Sequence, residues 1–181
     1  MISFWYWNSI AGDRYSGSSD TKGEEDYKKL ISWFDKGGES PLEEEKVEGI
    51  KEAGKNSALY KAVMCLITRK GSLDFIQNDP PKYSELEDHH IFPRKLLRGK
   101  YPDEVINDPR NIALVSRKMN RKIGARSPED YFTDQTLISD ISRVHSQFIP
   151  KNKELLKVKN YKKFLEERGK LIMGELNKFV S

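Results

Sequence analysis

One cysteine, Cys65, stands among 181 residues. A single thiol excludes an internal disulfide, a cysteine-ligated zinc finger and a thioredoxin-type pair. Long apolar runs are missing too. No stretch approaches the ~18–20 residues that cross a bilayer, and mean hydropathy is −0.74. No membrane partner is expected. The N-terminal MISFWYWNSIAGDRY lacks a basic n-region and is too aromatic and polar for a signal peptide; a reducing cytoplasm is the expected location. There is no internal repeat, no low-complexity tract and no glycine-rich phosphate loop.

What remains is a polar chain able to fold. Hydrophobic residues make up 36% and charged residues 33%, but 10% aromatics and three Trp argue against disorder. The length allows one domain, or one core with an appended lobe, and a chain of this size buries roughly 70% of its unfolded surface. The net charge of +4 hides an asymmetry. Residues 1–88 carry 12 Lys/Arg against 17 Asp/Glu, net −5, and residues 89–181 carry 20 against 11, net +9. A basic half attracts a polyanion through counterion release, although charge alone equally describes a solvated lysine-rich surface.

The first half reads as helical. Residues 3–10 suit a buried helix, 11–23 a loop, and 24–36 an amphipathic helix with Tyr27, Leu30, Ile31 and Phe34 at helical spacing. An acidic helix is expected over 41–53, and another after Asn56 or Ser57, with Leu59, Val63, Leu66 and Ile67 inward and Gly71 at its end. Cys65 reads as a buried thiol there. The texture then changes. Residues 89–93 read as a short strand closed by proline, 94–110 as a basic loop with one helical turn, 111–116 as a second strand, and 117–123 as a short helix stopped by Gly124. Ser127-Pro128-Glu129-Asp130 is a helix start, residues 137–147 read as helical, and Tyr161 to Phe179 keep a 3–4 spacing for five turns.

Strand, loop, strand, short helix puts His89-His90 on the first strand and Asn120 on the helix across it. DHHIFP, followed by RNIALVSRKMNRKIGARSPEDYF, resembles the ββα-metal (HNH) nuclease motif. More narrowly it is similar to the C-terminal nuclease domain of the GmrSD-type modification-dependent restriction endonucleases, associated with phage defence. The flanking segments FWYWNSIAGDRYSGSSDTK and FIPKNKELLKVKNYKKFLEERGKLI resemble that family as well, so the likeness covers nearly the whole chain.

The resemblance implies an α+β fold, mostly helical, with the HNH core embedded among helices. It divides the chain into a helical scaffold over 1–80, the core over 81–135 and C-terminal helices over 136–181. It implies a metal-dependent DNA endonuclease or nickase, with His90 as general base, His89 and Asn120 as ligands of a divalent metal (magnesium, or alternatively manganese), and Asn111 tying the loop that orients the base. Arg94, Lys95, Arg117, Lys118, Arg121, Lys122 and Arg126 are the expected DNA contacts. Relatives in the family carry an N-terminal nucleotide-hydrolysing sensor domain, which is the partner implied here.

The chemistry is consistent with those residue types. Phosphodiester hydrolysis needs an activated water, neutralised phosphoryl charge and a stabilised leaving alkoxide, and histidine titrates near neutrality. Adjacent strand residues point to opposite faces, so two neighbouring His flank one metal and one water only if the strand is distorted. Other readings stand beside this one. A histidine pair on a strand also serves as polar filler, an Asn at a strand start as a turn former, and Arg121 and Lys122 as solvated charge. Asp88 is a third ligand or, preferably, a strand-end cap. His145 reads as a core or surface histidine, and Trp5, Trp7 and Trp33 as core. A non-cleaving DNA-binding module, or a regulatory partner-docking domain built on the acidic 41–53 face, is the alternative to an enzyme.

Overall fold

The structure is a computed structural model that describes residues 2–11, 14, 19–37, 57–70, 74–75 and 82–179. The expected acidic helix over 41–53 lies outside the described residues. Two compact units emerge, one from 1–48 with 174–181 and one from 49–173. The architecture is mostly helical α+β, with one two-stranded sheet among the described residues. No described helix is long and apolar enough to cross a membrane.

In the first unit, helix α1 (Ile2–Ala11) buries Trp7, whose ring stacks on Phe179 at 5.3 Å. Helix α2 runs Ser19–Lys36 and so begins inside the segment expected as loop. Within the span already expected, Asp26 is buried and accepts from Arg14 Nε at Oδ2, 2.6 Å away. The periodic stripe of α2 does form, but it faces outward, with Tyr27 66%, Ile31 43% and Phe34 52% exposed.

The second unit opens with helix α3 (Ala58–Arg69). The Ser57 hydroxyl accepts from the Tyr60 amide at 3.1 Å and caps it. Tyr60, Ala62, Val63, Leu66 and Ile67 form its inner face, and Leu59 is only half-buried. Cys65 is exposed, contrary to expectation: at 100° per residue it falls off the stripe defined by 62, 63, 66 and 67.

Strand β1 (Leu86–His90) pairs antiparallel with β2 (Ile112–Ser116), with Leu86 opposite Ser116, His89 opposite Ala113 and His90 opposite Ile112. Sequence pattern places the first strand at 89–93; the ladder instead begins at Leu86 and ends at His90. The reason lies in Asn111, whose side chain takes both main-chain polar groups of Phe92, after which Pro93 has no N–H to donate. The far edge of β2 is closed by a side chain. The Gln147 amide accepts from Leu114 N at 2.9 Å and donates to Leu114 O at 2.6 Å, standing in for a third strand.

Between the strands the chain makes two single-turn helices, α4 (Arg94–Leu97) and α5 (Asp103–Ile106). Helix α6 (Arg117–Ile123) follows β2 directly; Ser116 caps it through the Met119 amide, and Gly124 ends it at φ 61°. Helix α7 (Pro128–Tyr131) uses Ser127 as cap and Pro128 at its first position. The expected helix over 137–147 shrinks to α8 (Ile141–Ser146). Leu137 and Ile138 instead enter the core from a turn closed by their amides on Asp134 O.

Helix α9 (Tyr161–Leu176) packs Tyr161 and Phe164 against Phe92, with ring centroids 5.1 and 4.9 Å apart. Arg168, expected on its inner stripe, is fully buried. Its guanidinium donates to Gln147 O and, at 2.7 Å, to Arg110 O, so one cation holds both the segment that closes β2 and the turn that precedes it. Burial lowers its pKa to about 9, still cationic at neutral pH.

Candidate functional site

Register decides which side chains meet. Residues 87 and 89 lie on one face of β1, and 88 and 90 on the other. On the first face, Asn120 comes down from α6. Its Nδ2 donates to Glu87 Oε2 at 3.0 Å, and its Oδ1 faces His89 Nδ1 at 2.9 Å. Glu87 is also held by Arg117, whose Nε donates to Oε1 at 2.8 Å. The Asn120 amide and then the Arg117 guanidinium keep the Glu87 carboxyl below its usual range. A carboxylate only accepts, so Glu87 dictates that the Asn120 oxygen, not its nitrogen, points at His89.

His89 is 2% exposed. Its ring stands edge-on to Tyr131 at 5.7 Å, and its Nε2 lies 3.4 Å from the Tyr131 hydroxyl. Burial lowers its pKa to about 4, against the opposing pull of Asn120 and with a further push from His90. The ring is neutral near pH 7, the state in which imidazole binds a metal.

His90 is not brought into this cluster. It is half-buried on the opposite face, where its Nε2 lies 3.0 Å from Asn107 Oδ1 on the loop between α5 and β2. Asp88 shares that face and pairs with Tyr60 of α3; burial first, and then Asp88, raise the Tyr60 hydroxyl pKa. Asn111 is fully buried. Its Nδ2 donates to Phe92 O at 3.1 Å and Ile106 O at 2.9 Å, and its Oδ1 accepts from Phe92 N at 2.9 Å. It therefore fastens both ends of the 91–111 loop that carries Asn107.

The basic residues divide by engagement. Arg117 is committed to Glu87. Arg126 bonds the carbonyls of Lys122 and Ile123 and the Asp134 carboxylate, so it closes the C-terminal end of α6. Arg94 lies 3.8 Å from Asp103. Lys95, Lys118, Arg121 and Lys122 are exposed. Three members of the site escaped the sequence reading: Glu87, Tyr131 and Asn107. Only Glu87 left a usable trace, two residues before His89 and so on the same strand face.

His89 and Asn120 offer one nitrogen and one amide oxygen to a cation. No group of three His, Cys, Asp or Glu side chains converges among the described residues, so the four-ligand zinc pattern does not fit. His89 Nδ1 and Asn120 Oδ1 are the two atoms that would hold a divalent ion such as magnesium or manganese, whose remaining shell would be water and a substrate phosphate. His145 is separate; its Nδ1 donates to Ile149 O at 3.0 Å at the end of α8.

No protein-family model and no solved structure matches the chain. An uncharacterised protein of the archaeon Methanocaldococcus jannaschii is 29% identical over 217 aligned positions, which cover 99% of this chain and 37% of the relative. The chain therefore spans little more than a third of that relative's length.

Proposed function

We propose that the 49–173 unit is a metal-dependent DNA endonuclease or nickase acting on the sugar–phosphate backbone, the effector part of a modification-dependent restriction or anti-phage defence protein. The observation that carries this reading is the pairing of His89 Nδ1 with Asn120 Oδ1 at 2.9 Å, on a helix whose exposed face adds Lys118, Arg121 and Lys122. When bound, the divalent ion supplies charge neutralisation on the phosphoryl and leaving oxygens. The chain does the rest. Glu87 aims the Asn120 oxygen, burial keeps His89 unprotonated, and Lys118, Arg121, Lys122, Lys95 and Arg94 hold the backbone phosphates. His90 takes the proton from the attacking water.

Supercoiled plasmid incubated with Mg²⁺ or Mn²⁺ tests this. Nicking or linearisation is expected, lost in His90→Ala and in Asn120→Ala. Activity that needs no divalent ion, or that survives both substitutions, overturns the assignment. One observation favours a second reading, a module that grips DNA without cutting it: His90 lies across the strand from the His89–Asn120 pair and is held at Asn107. That reading predicts duplex binding that weakens steeply with salt and no cleavage with any divalent ion. A nucleotide-hydrolysing sensor domain or subunit is the partner this reading implies.

A further inference from the structure

We infer that the Tyr131 hydroxyl is a positioning group that supports the one tautomer in which His89 can bind a divalent cation through Nδ1. The inference rests on the metal reading above and adds a residue to it.

Glu87 fixes the Asn120 amide so that an oxygen faces His89 Nδ1 at 2.9 Å. Across the ring, Nε2 lies 3.4 Å from the Tyr131 oxygen. The single hydroxyl proton of Tyr131 is given to the Ile91 carbonyl at 2.9 Å, so the oxygen it turns toward His89 is an acceptor. The buried ring thus has an acceptor at each nitrogen. Only an imidazolium could satisfy both, and complete burial opposes that charge. A neutral ring has one N–H and must leave one side unsatisfied.

Without metal, the shorter contact wins: Nδ1–H donates to Asn120, and the Nε2 lone pair faces the Tyr131 oxygen. If His89 and Asn120 held a divalent cation, Nδ1 and Oδ1 would both direct lone pairs at it, and the ring proton would move by exchange with water from Nδ1 to Nε2, where it would be donated to Tyr131. The ring stays neutral and no proton is lost. Metal-binding histidines commonly give their second N–H to a fixed acceptor, which sets ring and tautomer, and Tyr131 is placed for that task. Its rigidity is built in: it is fully buried, packed on Phe132 at a centroid distance of 4.3 Å, and carried by a helix capped at Ser127.

The test uses the full chain and the metal alone. Mn²⁺ titration followed by electron paramagnetic resonance is expected to give affinity about 10–100-fold weaker in Tyr131→Phe and to lose binding in Asn120→Ala. Long-range ¹H–¹⁵N spectra of the wild type should show His89 as the Nδ1–H tautomer without metal and the Nε2–H tautomer with saturating Mg²⁺, a readout that a merely structural tyrosine would not move and that needs no variant. Equal Mn²⁺ affinity in a folded Tyr131→Phe protein, or an Nδ1–H tautomer that persists at saturating Mg²⁺, overturns the role of Tyr131 while leaving the metal site standing. Absence of Mn²⁺ binding in the wild type overturns both.

Discussion

His89 and His90 are consecutive residues of one strand held under opposite conditions. His89 is sealed beneath α6 and α7, with Asn120 on one ring nitrogen and Tyr131 beside the other, and is kept neutral by burial. His90 is half-buried on the other face and meets Asn107, a residue of a loop. The same side chain is therefore built into the core at one position and held at the margin of the sheet at the next. A two-residue period is enough to separate them, because every neighbour on one face is foreign to the other. In the proposed mechanism the buried ring holds the metal and the marginal one meets the attacking water.

The strongest way to break the comparison is Asn111→Leu. It leaves Phe92 N, Phe92 O and Ile106 O without their partner, at roughly 1–3 kcal/mol for each buried orphan and about 3–5 kcal/mol in all because such losses are not additive. Urea denaturation should show the loss. A change under ~1 kcal/mol would mean that the loop carrying Asn107 is held by something else.

Acidification should act on the His89 side. The folded pKa of about 4 lies below the unfolded value of ~6.5, so the unfolded chain binds more protons between those values and stability rises with pH there. The contribution is complete above pH 6.5, declines as pH falls and is gone below pH 4, on the order of 3 kcal/mol over the interval. Thermal melts of the wild type and His89→Gln across this window should differ in slope. Parallel curves would show that His89 does not carry the dependence.

Glu87→Gln should sharpen the contrast through metal binding. An amide at 87 no longer forces the Asn120 oxygen toward His89, and Mn²⁺ affinity should fall about tenfold, with the His90 side untouched. Unchanged affinity would mean that α6 alone orients Asn120. The smallest effect on the fold belongs to His90→Ala, within about 1 kcal/mol of wild type by urea melt, although the proposed cleavage should fall at least ~100-fold. A large loss of stability would make His90 structural and favour the non-cleaving module.

Much of the site region is legible from local chemistry. Ser116 before Arg117 and Gly124 after Ile123 bound α6 as cap and positive-φ stop, and Ser127-Pro128 opens α7. Those signals act within a turn, so sequence carries them. Strand limits do not work that way. β1 begins at Leu86 because its ladder is defined by β2, and it ends at His90 because Asn111, about twenty residues on, takes the Phe92 backbone. The outward stripe of α2 differs from its pattern for the same reason: periodicity identifies a face, and only a neighbour decides whether that face is covered.

The sequence by itself determined that no internal disulfide and no cysteine-ligated zinc finger forms within these 181 residues, that positive charge gathers after residue 88, and that paired histidines precede an asparagine on a short helix. These follow from composition and short-range spacing. The resemblance already pairs His89 with Asn120; tertiary structure alone decided that Tyr131 stands beside that pair and that Gln147 and Arg168 close the sheet behind it. Each of these contacts joins residues about 30 or more apart. Their formation depends on register and burial, which are set by the packing of the unit as a whole and leave no mark in any short stretch of chain.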